Sequence, residues 1–121
     1  MGGPLLIAVV DDDESVRESL PDLLRSLGFA ACAFASAEEF LGSDSVDQVH
    51  CLILDIAMPG MSGPDLQREL RRRRKPIPIV FITAHRDGTA SARVDEAVEC
   101  LFKPFSEGAL MRALDGALQT D

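Results

Sequence analysis

The sequence lacks any apolar run long enough to cross a membrane, and it lacks a cationic leader. Its first apolar stretch, Leu5 to Val10, stops at Asp11, and no charged residue precedes it. A membrane-spanning helix needs about 20 apolar residues, and secretory signal peptides begin with a positively charged segment. We therefore expect a soluble, cytoplasmic protein.

Basic residues are in deficit. Twelve Lys and Arg stand against twenty Asp and Glu, for a formal net charge of −8. Because nucleic-acid affinity depends largely on Lys and Arg that neutralise phosphates, this balance argues against DNA binding by the chain itself. Only Arg71 to Lys75 is strongly basic. It is either a patch for nucleic acid or an acidic partner or, as we favour, a solvated helix end that complements the helix dipole.

Cysteine is scarce and has no metal-binding or disulfide pattern. Cys32, Cys51 and Cys100 are odd in number, widely spaced and each set in an apolar run. This arrangement favours reduced, buried thiols over a disulfide framework or a zinc site.

The apolar content is sufficient for one core. A chain of 121 residues with 46% hydrophobic residues predicts a single domain over residues 1–121, without room for a second. Strand-like apolar runs alternate with helix-like segments five times, which is typical of a parallel sheet with helices on both faces. The predicted strands are Leu5 to Val10, Phe29 to Phe34, Cys51 to Leu54, Ile77 to Ile82 and Val98 to Phe102.

The predicted helices differ in length and regularity. The first begins after the acidic cluster and ends at Gly28, and Pro21 inside it should bend it or split off its first turn. The thin apolar face of His85 to Val94 predicts a short or irregular fourth helix. The remaining predictions are a short helix from Ser36 to Leu41, a polar loop from Gly42 to Gln48, a third helix that opens at Ser62 and ends before Pro76, and a final helix from about Ser106.

Polar residues follow four of the five apolar runs. Asp11, Asp12 and Asp13 follow the first, and the others are Asp55, Thr83 and Lys103. Because ligands of open α/β sheets bind beyond the carboxyl ends of the strands, these side chains should meet at one rim. Acids, a hydroxyl and an amine together indicate magnesium-assisted phosphoryl transfer with a carboxylate as nucleophile.

The residue types suggest how this chemistry would be divided. The carboxylates of Asp11, Asp12 and Asp55 could hold Mg2+ or Mn2+, whereas Asp13 is expected to cap the first helix. Lys103 would reach phosphoryl oxygens as a mobile charge and Thr83 would donate a hydrogen bond to another. The small residues that would let backbone amides approach the anion are Ala57, Gly60 and Ala84.

These motifs resemble the receiver domain of bacterial two-component response regulators. The matching segments cover nearly the whole chain in order: VVDDD with Asp11 and Asp12, LILDIAMPGMSG around Asp55, IVFITA with Thr83, and FKPF with Lys103. The sequence around Asp55 and Lys103 is most similar to that of FixJ-like transcriptional regulators. The resemblance implies a CheY-like, flavodoxin-like doubly wound sheet of order 2-1-3-4-5.

The resemblance also implies a role for each site residue. Asp55 would be the phosphoacceptor, with Thr83 and Lys103 as its catalytic partners. Asp12, Asp55 and the Ala57 carbonyl would bind the metal directly and Asp11 through water, and a cis peptide would join Lys103 to Pro104. Such a domain catalyses its own phosphorylation and dephosphorylation and is not a conventional enzyme.

The partners implied by the resemblance are a sensor histidine kinase and a second copy of the chain. The copy would bind through the face of the predicted fourth helix, the fifth strand and the final helix. DNA would be bound only through an output domain, which we expect to be absent from this chain, since it stops at Asp121.

Two departures from the family leave alternatives open. Cys100 stands where the family usually has an aromatic residue, and the interval from Thr83 to Lys103 is shorter than usual. A degenerate receiver that acts as a phosphorylation-independent interaction domain is therefore a second hypothesis. A third is an aspartyl-phosphate hydrolase like the haloacid-dehalogenase phosphatases, although these carry an acid where this chain has Ala57.

Overall fold

The computed structural model describes residues 3–83, 99–103 and 105–118. Five parallel strands form one sheet in the order β2-β1-β3-β4-β5, which confirms the predicted architecture. The strands are β1 (Leu6–Val10), β2 (Ala30–Phe34), β3 (Cys51–Asp55), β4 (Ile79–Thr83) and β5 (Glu99–Phe102). The helices are α1 (Glu14–Ser26), α2 (Ala37–Leu41), α3 (Gly63–Arg72) and α4 (Glu107–Leu118).

Alternate residues of the central strands supply two apolar cores, one on each face of the sheet. Val10, Leu54 and Phe81 point toward α2 and α3. The neighbouring positions Val9, Ile53 and Ile82 pack with α1 and α4. All six side chains are fully buried, and full burial of one such side chain is worth about 1.5 to 3 kcal/mol. Burial on both faces explains why β1, β3 and β4 appear in the sequence as continuous apolar runs.

Side-chain caps set the beginnings of the helices. The Asp13 carboxylate accepts a hydrogen bond from the Ser15 amide at 3.0 Å, which confirms its predicted role as the cap of α1. The Ser36 hydroxyl accepts from the Glu39 amide at 3.0 Å at the start of α2. Ser62 and Asp65 form a reciprocal capping box at α3, in which two otherwise unpaired amides are satisfied.

One of the two alternatives for Pro21 and one loop prediction are wrong. Pro21 does not split off the first turn of α1, which runs unbroken from Glu14 to Ser26, because the buried residues Leu20, Pro21 and Leu24 hold the helix against the sheet. A bend at Pro21, the other alternative, stays a prediction. The segment from Gly42 to Gln48 is not entirely loop. It contains a 3-10 turn at Asp44–Asp47, which Ser43 caps and in which Val46 is buried.

The cysteines match their prediction in part. All three are free thiols, but only Cys51 is buried. Cys32 and Cys100 are half-buried because they lie in β2 and β5, the two edge strands of the sheet.

Other predictions fall outside the described residues: the short fourth helix from His85 to Val94, the role of Ala84 and the cis peptide to Pro104. Among the described helices, none is long and apolar enough to span a membrane.

Candidate metal and phosphoryl site

Two buried carboxylates lie side by side at the carboxyl edge of the sheet. Asp11 follows the last residue of β1, and Asp55 is the last residue of β3. These strands are neighbours, with Val10 opposite Leu54. Asp11 is 0% exposed and Asp55 is 7% exposed. The exposed Asp12 completes the group, in which one carboxylate oxygen from each residue lies within 4.8 Å of the others.

Lys103 brings a positive charge to these acids. Its backbone amide donates to the Thr83 carbonyl at 2.8 Å and continues the hydrogen bonding of β5 with β4. Its ammonium Nζ donates to Asp11 Oδ2 at 2.8 Å. Asp11 and Lys103, which lie 92 positions apart in the chain and are predicted to meet, are therefore in direct contact.

The pKa values of Asp55 and Lys103 are both raised at this site. Burial, and then the charge of Asp11, raise the pKa of Asp55 to about 7, and the charge of Lys103 only partly opposes them. Burial lowers the pKa of Lys103, but the hydrogen bond to Asp11 and the charges of Asp11, Asp55 and Asp13 outweigh it, so this pKa is raised overall. A cation between the carboxylates would relieve this repulsion.

Hydrogen bonds from backbone amides two residues further along the chain hold both buried acids in place. Asp11 Oδ1 accepts from the Asp13 amide at 2.9 Å, and Asp55 Oδ1 accepts from the Ala57 amide at 3.2 Å. The Arg17 guanidinium donates to the Asp11 carbonyl at 2.9 Å. This contact of Arg17 was not predicted, although Arg17 is the one basic residue between Asp11 and Asp22.

Gly63 is a second missed residue, and its lack of a side chain lets α3 approach β3. A Cβ atom at this position would lie 2.5 Å from the Asp55 carbonyl oxygen, a distance that real Cβ atoms do not show. The Gly63 amide donates to the Ile56 carbonyl at 3.0 Å. The signal in the sequence was a glycine between the capping residue Ser62 and Pro64, where capping alone does not require one.

The remaining predicted residues lie around the same edge. Thr83 is buried at the end of β4, next to β3 in the sheet. Ala57 is exposed two residues beyond Asp55. Gly60 has a positive φ of 77°, and a Cβ there would lie 3.0 Å from Glu38 Oε2. The positive φ explains the glycine, and its predicted contact with an anion stays a prediction.

The donor set fits a hard divalent cation. Mg2+ prefers oxygen ligands and keeps several waters, and the cluster offers three carboxylates, one exposed to solvent. The two buried carboxylates and the lysine at hydrogen-bond distance are also suited to binding an anionic group together with a cation.

Comparison with known proteins identifies the class to which this fold and rim belong. The model of the response regulator receiver domain family matches residues 7–115. Nodulation protein W of Bradyrhizobium diazoefficiens is 45% identical over 118 residues, which are 96% of this chain and 52% of that protein. The crystal structure of FixJ-N superimposes with a TM-score of 0.86 at 34% identity, covering 100% of this chain and 98% of that one.

A third similar structure is TrrA from Thermotoga maritima, solved in complex with Mg2+-BeF. Its TM-score is 0.78 at 31% identity, and the match covers 94% of this chain and 99% of that chain. The chain therefore belongs to the response regulator receiver domain family of two-component systems. Transcriptional regulators are among its curated relatives, and the chain spans about half the length of the curated relatives it matches.

Proposed function

We propose that this domain accepts a phosphoryl group on Asp55 from the phosphohistidine of a sensor histidine kinase and thereby controls an output, namely transcription. The observation that carries the proposal is that four charged side chains meet at the carboxyl edge of the sheet. Asp55 lies within 4.8 Å of the carboxylate oxygens of Asp11 and Asp12, and Lys103 donates to Asp11 at 2.8 Å.

In the proposed reaction an Asp55 carboxylate oxygen attacks the phosphorus atom. The new O–P bond forms as the P–N bond to histidine breaks, and the electron pair of that bond stays on the histidine nitrogen. Asp55 must be ionised to attack. Because its pKa is raised to about 7 by burial and by Asp11, positive charge at the rim would increase the ionised fraction at neutral pH.

Asp11, Asp12, Asp55 and the Ala57 carbonyl would hold Mg2+ or Mn2+. When bound, the cation supplies positive charge that neutralises the incoming phosphoryl dianion. The Mg2+-BeF complex of the related TrrA supports this assignment. Lys103 would exchange its contact with Asp11 for a phosphoryl oxygen, since a lysine ammonium is a compact charge on a flexible stem. The hydroxyl of Thr83 would donate to another oxygen.

The proposed setting follows from this chemistry. We assign the domain to the cytoplasm, where free thiols such as these three stay reduced. DNA would be bound by an output domain outside this chain, and a homodimer would form on the face that contains β5 and α4. Residue 100, which pairs with Phe81 in the β4–β5 register, is a cysteine and offers no aromatic side chain for transmission at that position.

Labelling with radioactive acetyl phosphate tests the proposal. Wild-type protein with Mg2+ should incorporate one phosphoryl group, and both Asp55→Asn and chelation of the metal should abolish incorporation. Asp44→Asn is the matched control. It removes an exposed carboxylate from the 3-10 turn before the amino end of β3 and should label normally. Incorporation by Asp55→Asn, or none by wild type, would contradict the proposal.

A further inference from the structure

The segment from Ile56 to Ser62 joins β3 to α3 and borders the acidic group. It is fastened near its ends by its own neighbours: the Ala57 amide donates to Asp55 Oδ1 at 3.2 Å, and the Gly63 amide donates to the Ile56 carbonyl at 3.0 Å. A third hydrogen bond holds the segment from another element. The Met61 amide donates to Glu38 Oε2 at 3.2 Å, across 23 residues of sequence.

Glu38 lies on α2, a helix that is packed against the core. Its helix α2 is held by Ala37 and Phe40, which are both 0% exposed. The rings of Phe34 and Phe40 pack edge to face with centroids 5.4 Å apart. Glu38 itself is exposed and does not belong to the core, and its carboxylate contacts the segment that follows the proposed phosphoacceptor.

The segment is shaped around this carboxylate. Gly60 has φ +77°, and a Cβ there would lie 3.0 Å from Glu38 Oε2 and 3.8 Å from its Cδ atom. A side chain at residue 60 would therefore be strained in its backbone and would also press on the carboxylate. The left-handed turn at Gly60 and the hydrogen bond at Met61 place two successive residues against Glu38.

We propose that Glu38 is a positioning residue for phosphoryl acceptance. Its carboxylate holds the Met61 amide, which fixes the path of the segment whose first residues contact Asp55 and include Ala57. Glu38 touches none of the reacting atoms. This inference rests on the proposed function of Asp55, because it concerns the geometry in which that carboxylate attacks.

The test compares initial rates of labelling by acetyl phosphate with Mg2+. Glu38→Ala loses the acceptor and should react about tenfold more slowly than wild type, since small displacements of reacting groups are costly. Glu38→Gln keeps a carbonyl oxygen that can accept from Met61 and should stay within about twofold of wild type. Glu39→Ala is the matched control, because the Glu39 carboxylate accepts from the nearby Ala35 amide at 3.3 Å, and it should also stay within about twofold.

Hydrogen exchange at the Met61 amide provides a readout independent of activity. It should be protected in wild type and in Glu38→Gln and should exchange faster in Glu38→Ala, with far-UV circular dichroism confirming the fold. An unprotected Met61 amide in wild type would overturn the inference, as would equal labelling of Glu38→Ala and wild type. A Glu38→Gln variant as slow as Glu38→Ala would overturn it too, because charge would then matter rather than the hydrogen bond. Absence of labelling in wild type would instead refute the proposed function, and the exchange of Met61 would still decide the contact.

Discussion

The acidic rim and the basic end of α3 are both dense clusters of charge, but they differ in burial and in pairing. At the rim, burial and then the charge of Asp11 raise the pKa of Asp55 to about 7. At the end of α3, opposite charges meet at the surface: hydrogen bonds from Arg72 and Arg73 lower the pKa of the half-buried Glu69 to about 2. Their nitrogen atoms lie 2.6 and 2.7 Å from Glu69 Oε2.

The comparison teaches that charge density alone does not mark a functional site. Lys75 likewise pairs with Asp47 at the surface, so Arg72, Arg73 and Lys75 within this basic run have acidic partners in the chain. This supports the favoured interpretation of that run as a solvated helix end. Repulsion between buried groups, by contrast, costs stability and is retained where a ligand relieves it.

The two lysines of the chain offer the largest test of this contrast. Lys103→Ala leaves the buried Asp11 and Asp55 without their cation and should lower the free energy of unfolding by about 3 kcal/mol without Mg2+. Lys75→Ala removes an exposed pair and should cost about 0.5 kcal/mol or less. Urea denaturation followed by circular dichroism measures both. Equal losses would show that burial does not separate the two regions.

Neutralising Asp55 should stabilise the metal-free protein in a pH-dependent manner. Its pKa is raised in the folded state from 3.8 to about 7, so the ionised carboxylate costs stability in full above pH 7 and the cost fades as pH falls toward 3.8. Asp55→Asn should therefore raise the free energy of unfolding by about 2 kcal/mol at pH 8 and by about a third of that at pH 5. Asp44→Asn is the control. A gain independent of pH would contradict the raised pKa.

Saturating Mg2+ sharpens the same test, since it should stabilise wild type more than Asp55→Asn. An equal increase in melting temperature for both proteins would argue against a metal ligand at Asp55.

The strained backbone of Arg74, at the basic end of α3, should have a smaller effect on the free energy of unfolding. Arg74 has φ 61°, and the amides of Arg74 and Lys75 donate to the Arg71 and Leu70 carbonyls at 3.0 and 2.9 Å. This is the helix-ending pattern in which glycine is preferred. Arg74→Gly should therefore raise the free energy of unfolding by about 1 kcal/mol. Arg71→Gly, inside α3, should lower it by about 1 kcal/mol, and the same sign for both changes in urea denaturation would refute this explanation.

The smallest effect is expected at Glu69. Its lowered pKa means that its ion pairs stabilise the fold above pH 4.5 and are lost as pH falls toward 2. Glu69→Gln should lower the melting temperature slightly at pH 7, by about 1 °C, and the difference should shrink below pH 4.5. A melting-temperature difference that grows on acidification would reverse the assignment.

Much of the fold and the members of the candidate site could be predicted because they depend on short-range patterns. Runs such as Cys51 to Leu54 are apolar on both faces, and Asp11 and Asp55 each follow such a run, so topology brings them to one rim. The 3-10 turn at Asp44–Asp47 was not predicted, and the sequence left open whether Pro21 would bend α1 or split it. Both depend on the burial of Val46 and of Leu20 with Leu24, which follows from packing rather than from propensity.

The contacts that support the rim were beyond local reasoning. Arg17 with the Asp11 carbonyl, Glu38 with the Met61 amide and Gly63 against the Asp55 carbonyl each join groups whose approach is set by how helices pack on the sheet. No spacing in the sequence specifies such distances.

The amino-acid sequence by itself determined the alternation of strands and helices and the placing of acids, hydroxyl and lysine after strands, because hydrophobic periodicity and chain polarity act locally. Only the tertiary structure decided that Asp11 is fully buried against Lys103 while Asp12 stays exposed. Burial and distance, which set the electrostatic energy of these groups, arise when strands distant in the chain pair and pack.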